Sequence, residues 1–291
     1  MRNKARRRHA AGYGLLAAVA GCLLLPACRK ERPVPPPAPE ARQTVPIRPF
    51  PILPPPAPAV YWTMDSIVDG ALPDVAGLHH AAIPGLTGMK DVRFGGVLPG
   101  FTPTTAPGVK GQALALVRDQ QGFLRVAAPG QFDVTQGMTV SAWVKINGGS
   151  ALMNILSCAE DLPNPKGGWT LCYSYGTVIF RAVDAAGKLQ TLASPKDSVP
   201  AGAWVHIAAV AEAATLRLYL NGVEAASIPF AGPIRMAANP LVIGNHAGIA
   251  GWRHSECPAF GGLMDEVKIF QKPLSAAEIM AESELALAPI Q

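Results

Sequence analysis

Apolar and polar residues alternate in short runs through most of this chain. Val140, Ala142, Val144 and Ile146 alternate with Ser141, Trp143 and Lys145, and Trp169, Leu171, Tyr173 and Tyr175 alternate with Thr170, Cys172 and Ser174. Residues 204–211 and 215–220 continue the pattern, and residues 241–244 add a further run. A period of two puts alternate side chains on opposite faces of a strand, so each run predicts a strand with one buried face. Gly, Pro, Asn and Asp clusters separate the runs, as in a sandwich or jelly roll. Residues 216–227 read as a hairpin, because Asn221-Gly222 at the apex accepts the positive φ of a tight turn. In the run 261–270 the same period places Leu263, Asp265, Val267 and Ile269 on one face, which Val267 and Ile269 make apolar. A carboxylate on such a face must be paired, hydrogen-bonded or metal-bound, so Asp265 is singled out. Ser275-Ala276-Ala277-Glu278 forms a capping box that opens one short helix, with Leu274, Ile279 and Met280 as its apolar stripe. The predicted fold class is all-β, a two-sheet antiparallel jelly-roll sandwich with one short C-terminal helix.

Charge and composition alter the picture mainly at the N-terminus. The formal net charge of the 291 residues is +5. Arg2, Lys4, Arg6, Arg7, Arg8, Arg29 and Lys30 supply more than that surplus within a stretch that contains no acid. The rest of the chain is close to neutral and carries no electrostatic footprint for nucleic acid. Residues 1–28 read as a secretory signal: a basic start, then an apolar segment over residues 13–25 that is too short to span a bilayer. Leu25-Pro26-Ala27-Cys28 resembles a bacterial lipobox, with Cys28 as the lipidated residue. Val19-Ala20-Gly21-Cys22 is the competing lipobox, and an ordinary cleaved signal without lipid is the third reading. Residues 29–58 are a proline-rich linker, including Pro35-Pro36-Pro37 and Pro54-Pro55-Pro56. Such density favours extended polyproline II and a semi-rigid spacer. Residues 59–291 are left as one domain, at the cell envelope and lipid-anchored (outer membrane or cell surface) or secreted.

The mature cysteines follow from that compartment. Cys158 and Cys172 flank a Pro- and Gly-rich loop between two predicted neighbouring strands. In an oxidising envelope a bridge between them would contribute ~3 kcal/mol by loop entropy. Cys257 replacing either partner, or three reduced buried thiols, are the alternatives.

Several motifs together resemble a known family. Trp204-Val205-His206-Ile207-Ala208, Leu216-Arg217-Leu218-Tyr219-Leu220-Asn221-Gly222 and Gly262-Leu263-Met264-Asp265-Glu266-Val267-Lys268-Ile269-Phe270 look like the LamG-like jelly-roll branch of the concanavalin A-like lectin/glucanase sandwiches. Thr139-Val140-Ser141-Ala142-Trp143-Val144-Lys145 resembles an earlier strand of that family, and residues 61–80 its opening strand and loop. The resemblance covers roughly residues 59–287. It implies a structural Ca²⁺ at the sandwich rim, held by Asp74 in Asp74-Val75-Ala76-Gly77 and by Asp265. Leu78-His79-His80 departs from the amide-rich run expected there, and a hydrogen-bonded Asp265 without metal is the equal alternative.

Laminarinase-type relatives carry Glu-x-Asp-x-x-Glu on one strand, which aligns the carboxylates for retaining hydrolysis. That motif is absent from the sequence, as are a Gly-x-Ser-x-Gly elbow and a phosphate loop. Glu160-Asp161 and Asp265-Glu266 are adjacent pairs that point apart on a strand. The reading is therefore no enzyme, with a polysaccharide-active hydrolase as the weaker alternative. The long connection from Asn245 to Gly261 holds His246, Trp252, Arg253, His254 and Glu256 where a minimal turn would suffice. Trp252 there either offers its face to a sugar, with Asn245, His246, Arg253 and His254 beside it, or folds back over the core. The function expected is a non-catalytic carbohydrate-binding or adhesion module of an envelope-anchored lipoprotein. The expected partners are a glycan or a cell-surface protein, plus the membrane through the N-terminal lipid. A protein-interaction or scaffold domain is the alternative.

Overall fold

A computed structural model describes residues 55–77, 81–82, 90–91, 96–97, 103–120, 122–126, 134–148, 152–159, 165–238, 240–246 and 259–285. The signal, both lipobox cysteines and nearly all of the proline tract lie outside these residues, as do Cys257 and His79-His80. In chain order the strands are β1 (Val60–Trp62), β2 (Ala71–Leu72), β3 (Ala81–Ala82), β4 (Lys90–Asp91), β5 (Gly96–Val97), β6 (Thr104–Pro107), β7 (Gln112–Leu116), β8 (Leu124–Val126) and β9 (Met138–Ile146). They continue as β10 (Met153–Ser157), β11 (Trp169–Ser174), β12 (Thr177–Val183), β13 (Leu189–Ala193), β14 (Trp204–Ala211), β15 (Thr215–Leu220), β16 (Val223–Pro229), β17 (Val242–Ile243) and β18 (Gly262–Phe270). One helix, α1 (Ala276–Leu285), follows them.

Two antiparallel sheets carry the architecture. The first runs β16-β15-β14-β9-β18-β7-β6, with β1 also on β18, and the second runs β13-β12-β11-β10-β17-β8-β3-β2. The core lies between them. Val140, Ala142, Val144 and Ile146 of β9 face it, as their alternation predicts, together with Val205, Ile207 and Ala209 of β14 and Trp169, Leu171 and Tyr173 of β11. The Asn221-Gly222 turn forms as expected, with φ of 49° and 81°. Its Asn221 side-chain oxygen also accepts the His206 N–H at 2.9 Å, which ties the hairpin back to β14. The capping box forms too: Glu278 accepts the Ser275 N–H at 2.7 Å, and the Glu278 N–H reaches the Ser275 hydroxyl at 3.3 Å.

β18 departs from the simple alternation. Asp265 lies opposite Trp143, but Lys268 lies opposite Ser141, so β18 spends one extra residue between them. Glu266 sits at this bulge with φ of 50°, in the left-handed region that a bulge residue adopts. The bulge inverts the face assignment. Met264, Val267 and Ile269 face the inter-sheet core, whereas Asp265 shares the outer face with Trp143, Lys268 and Phe270. The expectation that Asp265 points with Val267 and Ile269 is thus corrected; strict alternation cannot register an inserted residue.

Helix α1 covers that outer face. Leu274 and Ile279 pack with Ala208, Val210, Tyr219 and Phe270, so β14 is buried on both sides. Met280, expected in the apolar stripe, is instead partly exposed beside the Asn221-Gly222 turn. The face is dry enough that burial, aided by the nearby positive charge of Lys268, drives His206 down to about 3; its neutral ring lies 5.4 Å from that of Trp143. Beside them four polar side chains form a closed set. Lys268 Nζ lies 2.6 Å from Glu282 Oε2 of α1 and 3.6 Å from Glu266 Oε2, and 4.7 Å from the centre of the Tyr61 ring. The Tyr61 hydroxyl donates to Glu266 at 2.6 Å. The set ties the first strand and the only α-helix among the described residues to one site on β18.

Breaking one partner of a buried ion pair leaves an uncompensated charge, at about 3–5 kcal/mol. Lys268→Met should cost that much in urea unfolding at neutral pH, because Glu266 and Glu282 would then face each other. The double variant Lys268→Met/Glu282→Leu should lose less than the sum of the two single losses. Strict additivity would count against the coupling.

Candidate functional site

Asp74 and Asp265, the expected calcium ligands, both serve the backbone. Asp74 Oδ1 accepts the Ala76 N–H at 3.0 Å, closing an Asx-turn, and the Tyr61 N–H at 2.9 Å, which pins that turn to β1. Asp265 is fully buried. Its Oδ2 accepts the N–H groups of Val109 at 2.7 Å and Lys110 at 3.0 Å, and its Oδ1 accepts the N–H of Glu266 at 2.8 Å. Residues 108–111 form the β6–β7 turn, so Asp265 clamps this turn against β18 where its neighbour changes from β7 to β1. A Cβ at Gly108 would collide with Asp265 Oδ2, which accounts for glycine there. N–H groups present positive dipoles to both oxygens and take three of the carboxylate's roughly four lone-pair sites. Among the described residues no group of three or more His, Cys, Asp or Glu side chains is placed to hold a metal. The Asp265 geometry supplies the donors that the hydrogen-bonded account requires.

The expected Cys158–Cys172 bridge is overturned. Both thiols are free and buried. The two strands are neighbours, as the sequence suggests, but Cys158 faces the core with Trp169, Leu171 and Tyr173. Cys172 lies between Leu171 and Tyr173 on β11, opposite Asn154, and therefore points to the other face. A disulfide cannot pass through the sheet. Burial pushes the Cys158 thiol up to about 12 and the Cys172 thiol to about 11, so neither is a nucleophile at neutral pH.

The expected ligand loop divides. Trp252, Arg253, His254 and Glu256 lie outside the described residues. Asn245 and His246 are described and buried, His246 at 0% exposure, so neither offers its side chain to solvent as a ligand contact would require. The register shows where the loop is anchored. β17 runs antiparallel to β10, and the Gly244 N–H donates to the Ile155 carbonyl, so the chain leaves β17 at the end where β10 begins. The Phe260 N–H returns to the Gly244 carbonyl at 2.8 Å. The β11–β12 turn, Tyr175-Gly176, lies at the same end, because Met153 pairs with Tyr173. With strands about 4.8 Å apart, this turn lies roughly 10 Å from the end of β17 across one intervening strand.

Tyr175 is the residue that the alternation misplaced. Alternation groups it with Trp169, Leu171 and Tyr173 as part of an apolar face, but β11 stops at Ser174. Tyr175 occupies the turn at 63% exposure, and no other aromatic among the described residues is as open to solvent. The Tyr-Gly pair ahead of a second strand was the available signal, since a Gly in that setting marks a two-residue hairpin.

Asp265 makes a pH-dependent contribution. Burial pushes its carboxyl up to about 6 and the Glu266 charge adds to this, while the three N–H donors oppose it. A folded value above the unfolded one means that this group's stabilisation is present below about pH 4 and is lost as pH rises through about 6. The gap in denaturant stability between wild type and Asp265→Ala should therefore narrow from pH 4 to pH 7. At pH 7 about 1–3 kcal/mol should remain, from the orphaned N–H groups. If the backbone donors alone satisfy Asp265, thermal unfolding in excess Ca²⁺ and in chelator should superimpose; a calcium shift that Asp265→Ala abolishes would assign a metal to this carboxylate.

Comparison with known proteins agrees with this architecture. Residues 118–280 match the family model Laminin_G_3, described as the concanavalin A-like lectin/glucanases superfamily. Domain 4 of AbnA, an extracellular arabinanase from Geobacillus stearothermophilus solved in complex with arabinotriose, is 22% identical. It covers 78% of this chain and 98% of its own, with a TM-score of 0.57. The binding domain of Paraclostridial Mosquitocidal Protein 1 is 14% identical over 78% of this chain and 52% of its own, with a TM-score of 0.55. The receptor-binding domain of botulinum neurotoxin type G is 13% identical over 79% and 51%, with a TM-score of 0.54. The chain thus spans about half the length of the two toxin domains. No curated protein matches the chain. The two-sheet sandwich and the match over more than half of its length place this protein in the concanavalin A-like lectin/glucanase superfamily, in its laminin-G-like branch.

Proposed function

We propose that the protein is a non-catalytic glycan-binding module, held at the cell envelope by a lipid on Cys28 and spaced from the membrane by the proline tract. The observation that carries the binding reading is Tyr175. An aromatic ring is held out in solvent on the end of the sandwich from which the 247–258 connection departs and to which it returns. Burying an aromatic ring against a sugar's C–H face returns the apolar surface that solvent exposure leaves unused. The arabinotriose in the arabinanase domain supports a neutral oligosaccharide as the ligand class. The botulinum neurotoxin neighbour, named as a receptor-binding domain, favours the second reading, a protein receptor at a cell surface.

A non-catalytic role is supported by the sequence, which lacks the strand-borne Glu-x-Asp-x-x-Glu, and by the fixed duty of Asp265 in clamping a turn. An array of neutral oligosaccharides should bind the purified chain without hydrolysis. Binding only to protein receptors would favour the second reading, and release of reducing ends would favour an enzyme. The anchor is tested separately. Cys28→Ser should move the protein from the membrane fraction to the soluble fraction, whereas continued lipid labelling in that variant, with loss in Cys22→Ser, would assign the lipid to Cys22.

A further inference from the structure

Among the described residues two strand hairpins close with the same two-residue turn but carry different residues in its first position, and Asp69-Gly70 makes a turn with the same signs, φ of 50° and 75°, between Val68 and Ala71. In the β15–β16 turn Asn221 and Gly222 have φ of 49° and 81°; in the β11–β12 turn Tyr175 and Gly176 have φ of 48° and 79°. The backbone is the same type I′ turn, which Asn-Gly suits and a bulky residue does not, because its Cβ crowds the backbone at positive φ. The turn would form more readily with Asn in place of Tyr175. Asn221 contributes there, tying its turn to His206, whereas Tyr175 has no hydrogen bond or ring contact among the described residues and stands in solvent.

Beside it lies a cleft of about 480 Å³, walled by the β13–β14 connection. That wall is preformed. The Val199 N–H donates to the Gly176 carbonyl at 3.0 Å, the Ser194 N–H to Val178 at 2.9 Å, and the Ser194 and Ser198 hydroxyls share a bond of 2.7 Å. Asp197 is also held at positive φ, 57°, with its carboxylate against Gly176. Asp197 and Lys196 line the cleft as a loose exposed pair at 3.9 Å. An exposed pair of this length contributes little to stability, so both groups are available to a ligand.

We infer that Tyr175, Lys196 and Asp197 form the sugar-contacting subsite of this protein, with a neutral sugar ring stacked on Tyr175 at the mouth of the cleft. Asp197 accepts hydrogen bonds from the ring hydroxyls, and Lys196 donates to them. The strained tyrosine is kept for binding at the expense of the turn. The inference rests on the glycan-binding reading and adds the residues that carry it.

The test uses the full chain on an array of neutral oligosaccharides that includes arabinotriose, with Tyr175→Asn, Tyr175→Phe, Asp197→Asn and Trp252→Ala beside wild type. Tyr175→Asn should lower binding at least tenfold while raising Tm by roughly 2–4 °C, the shift expected in a domain of this size for relief of one strained residue. Tyr175→Phe should keep binding, since it keeps the ring, and Asp197→Asn should weaken it. If wild type binds and Tyr175→Asn binds equally well, the subsite is wrong while the glycan reading stands, and loss in Trp252→Ala alone would move the site to that loop. An unchanged or lower Tm in Tyr175→Asn would overturn the strain argument. If wild type binds no sugar on the array, the glycan reading and this subsite fall together.

Discussion

The inserted residue in β18 is the constraint on which the first sheet depends. A regular strand here would present Asp265 to the inter-sheet core, where a carboxylate has no place. With Glu266 in the left-handed region, β18 keeps Met264, Val267 and Ile269 inward and turns Asp265 outward. The same bend lets one edge of β18 serve two partners, β7 over its first residues and β1 over its last. Asp265 fills the junction by accepting the N–H groups of the β6–β7 turn that would otherwise be unpaired.

Closure of the outer face follows from that bend. Glu266 and Lys268 reach the outer side next to Phe270, so β18 presents an ionic pair and an aromatic ring to whatever lies above. Helix α1 answers both, with Glu282 for Lys268 and with Leu274 and Ile279 for Phe270. Tyr61 brings β1 into the same set. A buried charge set of this kind contributes little net stability compared with an apolar replacement, but it penalises any other placement of the helix or the first strand. The set thereby holds β1 and α1 on one strand.

The opposite priority holds at the end of the sandwich that carries Tyr175. There the wall of the cleft is rigid, built from backbone hydrogen bonds between the β11–β12 turn and the β13–β14 connection. Two non-glycine residues, Tyr175 and Asp197, accept positive φ within that wall. Local preference is satisfied at the Asn221-Gly222 turn, where the side chain has a structural partner. It is violated at Tyr175-Gly176, where the side chain faces water. The two hairpin turns thus share a backbone and differ in whether the first side chain has a structural partner.

The sequence by itself determined the fold class, the alternation of β9 and β14, the Asn221-Gly222 hairpin and the capping box of α1, because each depends on residues within one turn or one strand of each other. It also marked Asp265 as needing partners. Only the tertiary structure decided what those partners are, because Val109 and Lys110 lie some 155 residues away in the chain. The cysteines show the limit most plainly. Their spacing and strand adjacency suggested a bridge, yet face parity across two paired strands, shifted by an irregularity between Asn154 and Leu156, sets the thiols on opposite sides of a sheet. Tyr175 failed for a related reason: alternation continues on paper past the point where a strand ends, and only the pairing of Ser174 with Thr177 shows the chain turning there. Period-two patterning reports which residues alternate, whereas pairing between strands decides where the alternation starts, slips and stops.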